Sequence, residues 1–443
     1  LEVAHLMPTN AQAGPGWDIL PLMPCYDPAL DFQNLVQSLE EELDRNRFSI
    51  AAERRQDRAI LVSVTSADRE TARQSMDELV ELARTSGIVA ADVIIQRLRD
   101  VNAKTLIGKG KLSEIVLRAL QCGVDLLIFD QDLNPSQVKA ITDTTELRVI
   151  DRTQLILDIF AQRAQSREGK IQVEMAQLKY LLPRLGVKDD ALSRLTGGIG
   201  ARGPGETTLE INRRRIKDRI AHLERQLDMV RKNRGQRRSR RVRKELPTIS
   251  IVGYTNAGKS TLLNTLTHSE VFVQDKLFAT LDPSSRRLRF PEDREVIITD
   301  TVGFIRDLPK DLMEAFAATL EELDDADLLL HLVDISNPRF EEQMTAVRRI
   351  LEQLELDRKP TLLVFNKADL VDPFILEQHL RRYGAIAISA LSSGTLGPLL
   401  AAMQREVRGI LNGPSLPAAS GAGKMTSALE SEELEELEIA PPA

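Results

Sequence analysis

A glycine-rich octapeptide constrains the fold of this chain more than any other feature of its sequence. The run GYTNAGKS at 253–260 follows the apolar stretch TISIVG and precedes TLLNTLT, which has helical character. It matches the pattern Gly-x4-Gly-Lys-Ser in the strand–loop–helix context that phosphate-binding loops require. Its backbone amides and the following helix N-terminus would face phosphate oxygens. A chance glycine-rich turn is the alternative, and the later motifs argue against it.

Three further motifs follow this loop at the ends of apolar, strand-like runs. They are Asp-Thr-Val-Gly at 300–303, Asn-Lys-Ala-Asp at 366–369 and Ser-Ala at 389–390. The Asp369 carboxylate can accept hydrogen bonds from guanine N1–H and its exocyclic amine, whereas adenine offers no such pair of donors. In a buried site, an unpaired carboxylate would disfavour adenine by about 1–3 kcal/mol. The order and spacing of the motifs therefore predict a guanine-nucleotide site that binds GTP and GDP and hydrolyses GTP.

The same residues divide the expected chemistry among themselves. Lys259 would reach the β- and γ-phosphates, Gly303 would offer its amide to the γ-phosphate, and Thr280 is the candidate switch threonine, so these three are the candidate catalytic residues. Ser260, Thr280 and Asp300 are the candidate Mg²⁺ ligands, directly or through water. The candidate GTP-binding residues are Gly253, Tyr254, Thr255, Asn256, Ala257, Gly258, Lys259, Ser260, Thr261, Thr280, Asp300, Gly303, Asn366, Lys367, Asp369, Ser389 and Ala390.

Phe304 follows Gly303, at the position where many switch GTPases carry a glutamine that orients the attacking water. A phenyl ring cannot do this, so we expect slow hydrolysis until a partner or an ion assists, with about 10³–10⁵ of rate at stake. The alternative is that Phe304 only packs under the switch, and both can hold. Asn256 resembles the asparagine that coordinates K⁺ in some GTPases, which predicts K⁺ as a second cofactor beside Mg²⁺.

The length of 443 residues predicts two or three domains. Strands alternating with helices over 58–164 predict a small parallel-sheet α/β domain. Two runs with coiled-coil spacing predict an antiparallel helical hairpin with a glycine-rich loop at 197–205. The predicted ranges are 1–57, an extension without assignment; 58–164, the first α/β domain; 165–245, the hairpin; 246–411, the nucleotide domain with a mostly parallel sheet; and 412–443, an acidic disordered tail.

Charge and composition indicate which kind of partner and which cellular compartment to expect. The net charge is −7, yet residues 202–244 alone carry +11, a concentrated anion-facing segment. The two cysteines suggest no disulfide framework, and neither a membrane span nor a signal peptide is visible, so a cytoplasmic protein is expected. The first residue is not Met, which is compatible with a fragment, and nothing in the sequence demands more than a monomer.

Long stretches of residues 58–411 resemble the HflX family of ribosome-associated GTPases, within the Obg–HflX-like class. The specific matches are TLIGKGKLSEI, DLLIFDQDLNPSQ, RVIDRTQLILDIFAQRAQSREGKIQVEMAQLKYLLPRL and GGIGARGPGETTLEINRRRI. Ala201 and Asn212 depart from the family pattern, and the polar composition after residue 411 predicts a tail where some members carry a further folded domain. The resemblance implies binding to the large ribosomal subunit and splitting of stalled ribosomes. It also raises ATP binding at IGKGK (107–111), for which a structural turn is the alternative.

The basic segment fits an rRNA-facing helix, although a solvated helix face is the alternative. The candidate rRNA-binding residues are Arg202, Arg213, Arg214, Arg215, Arg237, Arg238, Arg240 and Arg241. Two other functions stay open: a GTP-gated assembly or checkpoint factor that binds rRNA without splitting ribosomes, and an ATP-driven RNA remodeller, against which Asp369 argues.

Overall fold

The computed structural model describes residues 4–6, 17–19, 33–34, 36–41, 57–98, 102–185, 208–242, 246–267, 277–278, 284–290, 295–306, 313 and 323–412, with residues 231–242 given by their backbone only. Thr280, Arg202, the loop 197–205 and the acidic tail after 412 lie outside these ranges. They remain predictions.

Near the N-terminus, strands β1 (Ala4–Leu6) and β2 (Trp17–Ile19) form an antiparallel pair that the sequence did not predict. Residues 33–34 and 36–41 are helical.

The first α/β unit (57–163) is a four-stranded, fully parallel sheet in the order β4-β3-β5-β6. Its elements are β3 (Arg58–Thr65), α1 (Arg69–Ser86), β4 (Val89–Arg97), α2 (Lys109–Cys122), β5 (Leu126–Phe129), α3 (Pro135–Thr145), β6 (Arg148–Asp151) and α4 (Arg152–Arg163). Helices cover both faces of the sheet, so β3 and β5 read as continuous apolar runs. Asp68 caps α1 by accepting from the Thr71 amide, and Gly87 ends it in the left-handed conformation. The predicted small parallel α/β fold is confirmed.

Helices α5 (Arg167–Leu181) and α6 (Thr208–Val242) pack against each other, and a short 3-10 turn (Leu182–Arg184) ends the first. Ion pairs Arg219–Glu174 and Lys179–Glu224 flank this contact. The basic segment belongs to α6 itself, which continues to Val242. Arg, Lys and Gln are good helix formers, so dense charge does not end a helix.

The second α/β unit (246–412) has a six-stranded sheet in the order β12-β11-β10-β7-β9-β8, parallel except for the edge strand β8. Its strands are β7 (Thr248–Gly253), β8 (Ser284–Arg289), β9 (Glu295–Asp300), β10 (Leu328–Asp334), β11 (Thr361–Asn366) and β12 (Ile386–Ala387). Its helices are α7 (Lys259–Leu266), α8 (Phe340–Gln353), α9 (Pro373–Tyr383) and α10 (Gly397–Asn412), with 3-10 turns at Ala368–Leu370 and Ser393–Thr395. Strand β8 was not predicted, because SSRRLR is polar on its exposed face.

One hydrophobic core is shared by the two units. The Phe160 ring of α4 meets the Phe278 ring edge to face, with centroids 4.6 Å apart. Leu79 of α1 belongs to the same buried cluster as Phe304 and Ile305. The segment that follows β9 therefore lies in the contact between the units. Within the described part of the chain, no helix is long and apolar enough to cross a membrane.

Candidate nucleotide-binding site

The phosphate loop joins β7 to α7 at the carboxyl edge of the sheet. Gly258 has φ +90°, and a Cβ placed on it would lie 2.3 Å from Asn366 Nδ2, so a side chain does not fit there. No described side chain caps the start of α7. Its first amides are therefore directed into the loop, where an anion could accept from them.

Lys259 closes this loop on itself. Its buried ammonium donates to the carbonyl oxygens of Gly253 (3.1 Å) and Tyr254 (2.8 Å). Burial lowers the pKa of Lys259 to about 8, and the nearby Asp300 carboxylate opposes that shift. A group so desolvated favours an anionic ligand, because phosphate oxygens would restore the charge compensation that water supplies elsewhere.

The predicted metal ligands that the structure describes lie side by side. Ser260 Oγ donates to Asp300 Oδ2 over 2.6 Å. A hydroxyl and a carboxylate beside a phosphate loop are the hard oxygen donors that Mg²⁺ takes, with the remaining positions left to water and substrate phosphates. Among the described residues, no group of three or more His, Cys, Asp or Glu side chains gathers as a cation site. The donor set therefore fits a magnesium ion held jointly with a nucleotide.

Gly303 lies directly against the lysine. A Cβ added to it would sit 3.0 Å from Lys259 Nζ and 2.9 Å from Thr255 Cγ2. Phe304 is buried, and two hydrogen bonds join its backbone to the phosphate loop. Its amide donates to Gly253 O (3.1 Å), and its carbonyl accepts from the Thr255 amide (2.7 Å). The ring belongs to the buried apolar cluster that the two units share, and a phenyl ring has no polar group with which to orient a water molecule.

Asn366 connects the base end of the site to the phosphate end. Its Nδ2 donates to Ala257 O (2.8 Å), and its Oδ1 accepts from the Ala390 amide (2.8 Å). The sequence motif had placed Asn366 at the site but had not foreseen that it joins two loops. Lys367, with φ +59°, pairs with Asp334 over 2.6 Å.

Asp369 lies on the same edge but is exposed. A base lying over the carboxylate would exclude water from it, so the role of Asp369 in base choice remains a prediction. Asn256 is also exposed, with φ +62° at the tip of the phosphate loop. Ser389 is buried beside the base end, and its backbone amide donates to Thr395 Oγ1 over 3.0 Å.

The basic candidates divide into three groups. Arg213, Arg214 and Arg215 are exposed on α6. Arg237, Arg238, Arg240 and Arg241 lie on the same helix, where the structure gives the backbone alone, and Arg202 is outside the described residues. In the first unit, Lys111 of the IGKGK turn is engaged with Glu114 at 2.8 Å, and the turn opens α2. That arrangement favours the structural interpretation of IGKGK over a phosphate site.

Sequence reasoning missed a group of buried and half-buried polar residues between the two units, which surrounds Tyr254: Ser75, Glu78, Asp130, Arg152 and Arg306. Each of these five would have passed for an ordinary surface residue in the sequence, and Tyr254 was predicted only as a nucleotide-binding residue. Tyr254 Oη donates to the Glu78 carboxylate, although the two residues are 176 positions apart. Only a signal that pairs distant positions could have found this group.

Comparisons with known proteins agree with the site geometry. Residues 73–161 match a family model described as GTP-binding GTPase N-terminal, and residues 163–241 match GTP-binding GTPase Middle Region. Residues 248–367 match a model described as 50S ribosome-binding GTPase.

Curated relatives cover most of the chain. A GTPase HflX of Caldanaerobacter subterraneus subsp. tengcongensis is 48% identical over 354 residues, covering 80% of this chain and 81% of that protein. A GTPase HflX of Escherichia coli is 41% identical over 372 residues, covering 82% and 87%. A solved GTP-binding protein from Sulfolobus solfataricus, in complex with GDP, is 24% identical with a TM-score of 0.43, covering 80% of this chain and 99% of its own.

Proposed function

Because the chain belongs to the HflX family of GTPases, we propose that it binds the large ribosomal subunit in its GTP form and splits or rescues stalled ribosomes. Hydrolysis of GTP to GDP and phosphate would then release it. The hydrolytic activity itself belongs to the family, and the nucleotide domain is of the ribosome-binding kind.

The observation that supports a ribosomal partner most directly is the course of α6. This helix exposes Arg213, Arg214 and Arg215 and ends at Val242, only a few residues before β7 begins at Thr248. A basic helix that is almost continuous with the phosphate-loop strand can hold rRNA and report on it to the nucleotide site. Arg202 and the cluster at 237–241 extend the same basic surface in the proposal.

Within the site, we assign roles by contact. Lys259 and the first amides of α7 would bind the phosphates, and Ser260 with Asp300 would hold Mg²⁺, which when bound neutralises phosphate charge. Gly303 would donate its amide to the γ-phosphate. At the base, Asp369 would accept from guanine, while Ser389 and Ala390 would meet its O6. Thr280 would complete the metal shell.

Hydrolysis is proposed to be slow in the isolated protein. Phe304 is buried and apolar, and the described site offers no side chain in place of a water-orienting glutamine. Exposed Asn256 is the proposed K⁺ ligand. Rates measured in matched K⁺ and Na⁺ buffers test this role, and equal rates would remove it. The Asn256→Ala variant should lose any K⁺ stimulation while retaining GDP binding.

Sucrose-gradient profiles of intact ribosomes test the proposed function. Protein with GTP or a non-hydrolysable analogue should convert ribosomes to subunits, whereas GDP should not. Protein that binds isolated large subunits without splitting ribosomes would instead indicate an assembly or checkpoint factor. Absence of binding to either would refute a ribosomal role.

Two triple variants that remove the same charge test whether ribosome binding depends on α6. Replacing Arg213, Arg214 and Arg215 by alanine should weaken binding and flatten its salt dependence by about three phosphate contacts, since each contact contributes close to one unit of slope. Replacing the exposed Arg381, Arg382 and Arg405 of the second unit removes the same charge and should leave binding unchanged. Equal effects of the two triple variants would point to net charge rather than to α6.

A further inference from the structure

Six residues between the two units form a closed ring of hydrogen bonds and ion pairs. Arg306 Nη2 donates to Ser75 Oγ (2.6 Å), and Ser75 Oγ donates to Asp130 Oδ2 (2.6 Å). Arg152 then bridges Asp130 Oδ1 and Glu78 Oε2, at 3.1 Å each. Tyr254 Oη donates to Glu78 and accepts from the Arg306 amide (2.8 Å), which closes the ring.

The ring joins the first α/β unit to two segments of the nucleotide site. Four of its members, Ser75, Glu78, Asp130 and Arg152, belong to the first α/β unit. Tyr254 is the second residue of the phosphate loop, and Arg306 lies three residues after Gly303. Arg152 Nη2 also donates to the Arg306 carbonyl (3.4 Å), so the backbone of Arg306 is held on both of its polar sides.

Tyr254 links the phosphate loop to the rest of the ring. From the phosphate loop, its hydroxyl contacts both the first unit, through Glu78, and the backbone leaving Gly303, through Arg306. The Tyr254 and Phe304 backbones are also paired by a parallel bridge. The segment 303–306 is therefore fixed at one end by the phosphate loop and at the other end by the first unit.

We propose that the Tyr254 hydroxyl is a positioning group for the GTP-bound state: through Arg306 and the first α/β unit, it holds Gly303 where its amide meets the γ-phosphate. GDP has no γ-phosphate and does not use this contact. The ring thus makes the first unit part of the device that distinguishes GTP from GDP. Binding linkage is reciprocal: if exchanging GDP for GTP changes the affinity of the first unit for a partner by some factor, that partner changes the preference for GTP over GDP by the same factor. The inference rests on the γ-phosphate role proposed above for Gly303.

The test compares Tyr254→Phe with the unaltered protein by titrating fluorescent GDP and a fluorescent non-hydrolysable GTP analogue. The variant removes one hydroxyl that donates to a carboxylate, so affinity for the analogue should fall about tenfold while that for GDP stays within about twofold. Ser75→Ala, which breaks the ring in the first unit, should act in the same direction. The double variant should fall short of the product of the two single effects, because both break the same ring.

Tyr180→Phe is the matched control. Tyr180 is also buried and donates to a carboxylate, Asp151 Oδ1 (2.6 Å), but its partners lie outside the nucleotide domain. It should reduce stability without changing the ratio of analogue to GDP affinity. An unchanged ratio in Tyr254→Phe, equal loss for both nucleotides, or tighter analogue binding would each overturn the inference. Failure of the unaltered protein to bind either nucleotide would instead refute the proposed site.

Discussion

Substitution of Arg152 should show how much more a buried ion pair contributes to the free energy of unfolding than an exposed one. Its side chain is 6% exposed, and its two carboxylate partners, Glu78 and Asp130, are 8% and 6% exposed. Replacement by methionine keeps most of the volume but removes the positive charge from between two negative ones. Because the variant leaves uncompensated carboxylates in the interior, we expect the free energy of unfolding to fall by about 3–5 kcal/mol.

Arg118 provides a comparison of the same chemistry in solvent. It also pairs with two carboxylates, Asp92 at 2.7 Å and Glu114 at 3.0 Å, but its side chain is 41% exposed. Water screens this pair, so Arg118→Met should lower the free energy of unfolding by less than about 1 kcal/mol. Urea unfolding followed by circular dichroism measures both variants, and nucleotide-free protein avoids stabilisation by bound ligand.

A third measurement tests the physical reason. If the loss comes from unpaired buried carboxylates, Arg152→Met should have a much smaller effect in a background that already carries Glu78→Gln and Asp130→Asn. The reasoning is refuted if Arg152→Met is no more destabilising than Arg118→Met, or if the neutral background leaves its effect unchanged.

Three further predictions concern the nucleotide site. Burial lowers the pKa of Lys259 to about 8, and bound phosphates favour its charged form. GTP binding about one pH unit above this pKa should therefore take up a proton and weaken as the pH rises. Calorimetry in two buffers of different ionisation enthalpy measures the uptake, and it should show no proton uptake about one pH unit below this pKa. Gly258→Ala would place a Cβ 2.3 Å from Asn366 and should abolish GTP and GDP binding in an equilibrium titration, whereas Gly110→Ala, with open space around its Cβ, should not. Asn366→Ala breaks both 2.8 Å bonds that join the base and phosphate loops, and should weaken both nucleotides by about 10–100-fold, with an intact circular dichroism spectrum.

The sequence predicted the parts of the fold and site that local patterns encode. Glycines of 253–260, the apolar runs of both sheets and the motif ending at Asp369 are each legible within a few residues. Strand β8 escaped because its polar, alternating residues suit an edge that only one neighbour covers.

The ring around Tyr254 shows a different limit. Apart from Tyr254, its members are polar residues that look solvent-exposed in the sequence, and their burial becomes evident only when both α/β units are assembled. Asn366 is intermediate: its motif revealed that it belongs to the site, but its bonds to Ala257 and Ala390 depend on three loops meeting at one sheet edge. Pairing across long separations is information that periodicity and spacing do not carry.

The core that both α/β units share has a consequence for how this chain is synthesised. Leu79 and Phe160 are translated early, yet their partners Phe278, Phe304 and Ile305 emerge much later. At about 5–20 residues per second, the roughly 140 residues after Phe160 take about 7–30 s to appear. During that interval the apolar face of the nascent first unit lacks its partners from the second unit, and such exposed surface is prone to aggregation until they arrive.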